Sequence, residues 1–213
     1  MRAQALVPIL ADIFDFPMEM ALRIDRGLCS AGMRVRGTGR SVPDMTRREA
    51  LTFLLACMTT DKVTQAAEEV PAWLNAQGVP NRFPTIDPVE EEWEDFLEDT
   101  DTYKHFVEVN ELLGTSQKDS AVVSLIDYLE VVCKLIETDK LILERVKLEI
   151  DFSDEVAHIH YEHVHYRGLE SSSEFFLQRK AAPYDLERRT RSTGIKRKCS
   201  VSGHTLYEIT QRT

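Results

Sequence analysis

The chain lacks most of the signatures that mark small enzymes, metalloproteins and secreted domains. It has only four cysteines (Cys29, Cys57, Cys133 and Cys199), and no two of them form a CxxC pair. Neither a disulfide framework nor a thiolate zinc site is therefore expected, and the thiols read as reduced. It contains no glycine-rich phosphate loop, no GxSxG elbow and no HExxH helix, and no cysteine stands beside a candidate base. These absences point to a non-enzymatic protein with no catalytic residues, no cofactor and no bound metal. No run approaches the roughly 18 consecutive apolar residues that a membrane helix needs. The opening MRAQALVPILADIFDF places acids inside its apolar stretch, unlike a secretory signal. A cytoplasmic protein without a membrane partner is expected.

What is present is ordinary globular material with an uneven charge. Over 213 residues, 43% are hydrophobic and 29% charged, enough to bury a core and too apolar for wholesale disorder. The net charge of -10 alone disfavours contact with a phosphate backbone, but residues 1–56 carry +2, residues 57–155 carry -16 and residues 156–213 carry +4. Exposed charges more than about 8 Å apart are largely screened at physiological salt, so each block acts locally.

Apolar spacing predicts helices over Gln4–Phe14, over Met18–Ala31 after the Asp15-Phe16-Pro17 break, and over Lys62–Asn75. Gly32 is a natural stop for the second of these, and Met33-Arg34-Val35-Arg36 alternates as an edge strand does. Thr46 and Glu49 form a capping box ahead of a third helix beginning near residue 47. Residues 87–101 hold nine acids and no base, which reads as a linker with a short acidic helix carrying Trp93, Phe96 and Leu97. A long amphipathic helix is predicted from Asp119 to about Thr138. The period then changes from 3.6 to 2. Val146–Phe152 and Val156–Tyr166 form a hairpin turning at Ser153-Asp154-Glu155, with further strands at Phe175–Arg179 and His204–Thr210. The expected fold is α+β: an N-terminal helical module (1–78), an acidic, proline-punctuated linker (79–118), and a helix with a small antiparallel sheet (119–213) for oligomerisation or contact with a protein partner.

One constellation carries a functional expectation. Residues 22–48 contain seven arginines (Arg23, Arg26, Arg34, Arg36, Arg40, Arg47 and Arg48) against Asp25 and Asp44. The planar arginine fork binds a guanine edge or a phosphate through two donors, and a Gly37-Thr38-Gly39 turn lets backbone amides approach phosphate closely. A helix with exposed arginines, the Ala31-Gly32-Met33 step, a basic turn and a capped helix together resemble the winged helix-turn-helix modules of bacterial and phage regulators. The resemblance covers the N-terminal quarter and departs from the pattern where a further helix follows the wing at once. It implies that Met18, Glu19, Arg23 and Arg26 face the major groove of double-stranded DNA while Arg36, Thr38 and Arg40 lie over the backbone. With Arg34, Arg47 and Arg48 these residues are expected to make one contiguous cationic face on a homo-oligomer that regulates transcription.

Two rival readings fit the same residues. The order of helical module, central helix and strands also resembles a ring-forming phage small terminase subunit, and the block 57–155 suits an acidic inhibitor that mimics DNA. His158, His160, His163 and His165 are dense enough to raise a metal site, but strand alternation sends the first two to one face and the last two to the other. An exposed polar face is the simpler reading. Arg188-Arg189-Thr190-Arg191 and Lys196-Arg197-Lys198 read as a second phosphate patch, as a tail engaging the acidic segment of a neighbouring subunit, or as a solvated loop.

Overall fold

A computed structural model describes residues 3–36, 44–60, 62–78, 101–114, 122–152, 154–164, 170–177 and 198–212. The described helices are α1 (Ala3–Ile13), α2 (Met18–Ser30), α3 (Arg47–Thr59), α4 (Ala66–Leu74), α5 (Asp101–Leu113), α6 (Leu125–Glu137) and α7 (Gly203–Arg212). The strands are β1 (Gln77–Gly78), β2 (Val123–Ser124), β3 (Lys147–Asp151), β4 (Val156–Glu162), β5 (Glu170–Phe176) and β6 (Lys198–Ser202). They form one sheet in the order β2-β1-β5-β4-β3-β6, and every pairing is antiparallel. The α+β class is as expected, with helices leading and most of the sheet in the C-terminal half.

Local chemistry accounts for the element boundaries. The α2 helix stops at Gly32, whose φ of 72° is the left-handed conformation that glycine adopts without a Cβ penalty. The α3 cap forms as read: the Thr46 side chain accepts from the Glu49 amide and the Glu49 carboxylate accepts from the Thr46 amide. The long helix starts later than Asp119, because Ser124 caps it by accepting from the Asp127 amide at 3.3 Å. Val123 and Ser124 meanwhile pair with Gly78 and Gln77. The 147–162 hairpin is present, and Glu155 in its turn has φ 56°.

Three expectations need correction. Residues 33–36 form no strand: the Val35 amide donates to the Glu49 carboxylate at 2.7 Å rather than to a strand partner. His204–Thr210 lies in helix α7, since Leu206, Ile209 and Thr210, at i, i+3 and i+4, are the buried positions. Strand β5 begins at Glu170, ahead of the expected Phe175, and Phe176 is its last residue.

One face of the sheet carries the core. Leu148, Ile150, Ala157, Ile159, Tyr161, Ser173, Phe175 and Val201 are buried, while Glu149, His158, His160 and Glu174 alternate onto the other face. The helices cover the apolar face, and a single buried cluster runs from Leu6 to Ile209. Segments 1–78 and 119–213 thus share one core, and β1 of the first segment sits between β2 and β5. The approach at β1 is close: a Cβ on Gly78 would lie 2.2 Å from the Glu174 carbonyl and 2.9 Å from the Phe175 ring. Gly27, in mid-helix, has its nearest neighbour, the Ala67 Cβ, at 3.8 Å. Gly78→Ala is therefore expected to lower stability by about 1–3 kcal/mol or more. Gly27→Ala should raise it by about 0.4–1 kcal/mol by restricting the unfolded chain. Urea midpoints at constant m-value check both.

Candidate functional site

The outward face of α2 follows from its sequence period. Ala21, Ile24, Asp25 and Leu28 turn inward, so Glu19, Arg23, Arg26 and Ser30 fall together on the exposed side. Neither Arg23 nor Arg26 has a carboxylate partner among the described residues, and the same holds for exposed Arg36. Met18, at the start of the helix, is 46% exposed.

The path from α2 to Arg36 is held at two points. Arg34 folds back under the helix, where its Nη2 donates to Asp25 Oδ2 at 2.7 Å and its Nε lies 2.7 Å from Oδ1. Both side chains are largely buried, at 6% and 12% exposure. One residue on, the Val35 amide is fixed by Glu49. Burial opposes ionisation of the Glu49 carboxyl, but the Val35 and Thr46 amides outweigh it and hold the group below its ordinary range. The capping box therefore both starts α3 and fastens the segment that delivers Arg36 to the surface.

The expected unbroken arginine face fails at three positions. Arg34 is the buried partner of Asp25. Arg47 pairs with Glu137, and Arg48 reaches Asp127 at 2.7 Å and Glu130 at 2.9 Å. The last two join the start of α3 to α6, whose carboxylates come from the acidic central block. Arg23, Arg26 and Arg36 remain open to solvent, and Thr38 and Arg40 lie outside the described residues. So do Arg188, Arg189, Arg191, Lys196 and Arg197 of the C-terminal basic run. Lys198, in β6, sits 2.7 Å from Glu149 and 3.3 Å from Asp151.

The histidines separate as strand alternation requires. His158 and His160 stack on the open face of the sheet with centroids 6.0 Å apart. His163 turns inward and is 1% exposed, and His165 lies outside the described residues. Inside, His163 meets partners that the sequence reading missed. His105 of α5 is 5.1 Å from it ring to ring, and Glu108, one turn further along the same helix, has Oε2 3.7 Å from the His163 Nε2. The available signal was His105, Val109 and Leu112 at i, i+4 and i+7, inside a stretch read as the end of a linker. The Tyr161 hydroxyl holds His105 Nε2 at 3.0 Å and Tyr128 Oη at 2.9 Å. Burial, then His163 and Lys140, push the His105 pKa down to about 4, so its imidazole is neutral at physiological pH.

No family model, curated protein or solved structure matches this chain.

The ion pairs differ in what they contribute. Arg34→Ala leaves Asp25 buried without its counter-charge and is expected to cost about 3–5 kcal/mol. Arg48→Ala, on an exposed pair, should cost no more than about 1 kcal/mol. Denaturant unfolding of the two variants beside the parent protein measures the contrast.

Proposed function

We propose that the protein binds duplex DNA through the outer face of α2 and the segment that follows it. The reading keeps Arg23 and Arg26 as groove-facing side chains and Arg36 as a backbone contact, in the manner of the regulators that the N-terminal quarter resembles. It gives Arg34, Arg47 and Arg48 structural work instead. The observation that carries it is the open side of α2. Two arginines one helical turn apart stand on a face that no described element covers, whereas Arg34, Arg47 and Arg48 are each taken up by a carboxylate of the protein's own. Guanidinium groups on a helix face, with no ion pair among the described residues to break first, are poised for bidentate contact with guanine edges or phosphates. The anchored turn at Arg34 and Val35 limits the entropy lost when Arg36 engages a phosphate.

A polarisation titration with random-sequence duplex at two salt concentrations, followed by selection from a random pool, tests this. Arg36→Ala is expected to weaken binding uniformly across sequences and to reduce the salt slope by about 0.9 for each phosphate that is no longer neutralised. Arg23→Ala and Arg26→Ala should reduce discrimination between selected and random sites by roughly 1–3 kcal/mol. Arg48→Ala should leave both properties unchanged. Absence of duplex binding at low salt, or binding indifferent to Arg23, Arg26 and Arg36, rules the reading out. A dimer in solution fits half-sites roughly 34 Å apart, whereas a larger closed ring moves the same DNA-binding face to a packaging role.

A further inference from the structure

We infer that His105, Glu108 and His163 form a binding site for one divalent transition-metal ion of the zinc class. One ligand atom from each residue lies within 4.8 Å of the other two. Atoms bound to a shared zinc ion at about 2.0–2.2 Å stand no more than about 4.4 Å apart, so small side-chain rotations close the set. Two imidazoles and one carboxylate are the donors that borderline cations take, and three protein ligands leave a position for water.

The surroundings are built as an outer shell is. Tyr161 fixes the His105 ring through Nε2 and is itself held by Tyr128, which accepts from the Ser173 hydroxyl at 3.2 Å. Such oriented hydrogen bonds set the direction of a ligating histidine. His163 is placed by the chain reversal beside it. It bridges Leu141 in antiparallel register, the Val164 amide donates to the Lys140 carbonyl at 2.7 Å, and the Ile142 amide donates to the Glu162 carbonyl at 2.9 Å. The same reversal brings the Lys140 ammonium onto Glu108. Lys140 is half-buried on a long, flexible stem, so it neutralises Glu108 in the metal-free protein and can swing away when an ion takes the carboxylate. The site shares no residue with the arginine face, so its test is separate from that of DNA binding.

The test titrates the full chain, stripped with chelator, with Zn2+ alone and with Co2+ alone. It reads bound metal per chain by mass spectrometry, the visible absorption of low-coordinate Co2+, and the melting temperature. One ion per chain is expected, with a saturable rise in melting temperature. Tyr161→Phe, which removes an outer partner, should weaken binding roughly 10- to 100-fold. Glu108→Gln, which removes a ligand, should weaken it further. Lys140→Met should tighten it severalfold, because the competing ammonium is gone. The double change His158→Ala with His160→Ala should leave affinity intact. Binding that survives Glu108→Gln but is lost in the His158/His160 variant places the ion on the open strand face and overturns the proposal. No saturable uptake by the folded parent overturns it as well. Near-UV circular dichroism checks that each variant is folded. Should Glu108→Gln fail to fold, an affinity unchanged in Lys140→Met refutes the site.

Discussion

Two central helices have almost no solvent side, and the arrangement of every other element answers to that. From Ala50 to Thr59 every residue of α3 is buried, and nine of the thirteen residues of α6 are as well. A helix that is apolar nearly all round must be surrounded. The two pack on each other, and α1, α2, α4, α5, α7 and the sheet complete the enclosure between them. Each fully buried leucine or phenylalanine contributes about 1.5–3 kcal/mol, so the surrounding elements are held by what α3 and α6 need covered. This also explains how a two-residue strand such as β1 persists, since it is backed by that core and by partners on both sides.

The same packing decides which charges are free. The first turn of α3 must lie beside α6, and three of the four α6 positions that are not buried are acids, Asp127, Glu130 and Glu137. Arg47 and Arg48 therefore meet Glu137, Asp127 and Glu130 rather than solvent. Arg34 is drawn in because Asp25 occupies the inner face of α2, where a carboxylate needs a counter-charge to be tolerated. The arginines left open stand on α2 and just beyond it, on a helix face that no described element covers.

Polar groups inside the core form a second organised region. The Ser173, Tyr128, Tyr161 and His105 chain links the inner face of the sheet to α6 and α5. His163, Glu108 and Lys140 lie at its end. A buried network of this kind is tolerated only where its members satisfy one another. That requirement fixes the rotation of α5 about its own axis more tightly than Val109 and Leu112 alone would.

Local devices were legible from the residues alone: the Gly32 stop, the Thr46 and Glu49 box, the exposed stripe of α2, the 147–162 hairpin and the opposite facing of His158 and His163. Each depends on residues within about one turn or on strand alternation, and such short-range chemistry survives in any tertiary setting. The helical winding of His204–Thr210 was not legible, because Tyr207 and Ile209 stand two apart as in a strand while Leu206 and Ile209 stand three apart as in a helix, and so short a segment does not choose between them until a surface exists to bury one set. Nor was the pairing of Val123 with Gly78 or the meeting of His105 with His163, which span 45 and 58 positions of the chain. Which arginines keep a free charge was equally hidden. These questions are settled by which distant groups the two buried helices and the sheet bring together, and pairing at that range is a property of the closed core rather than of any segment.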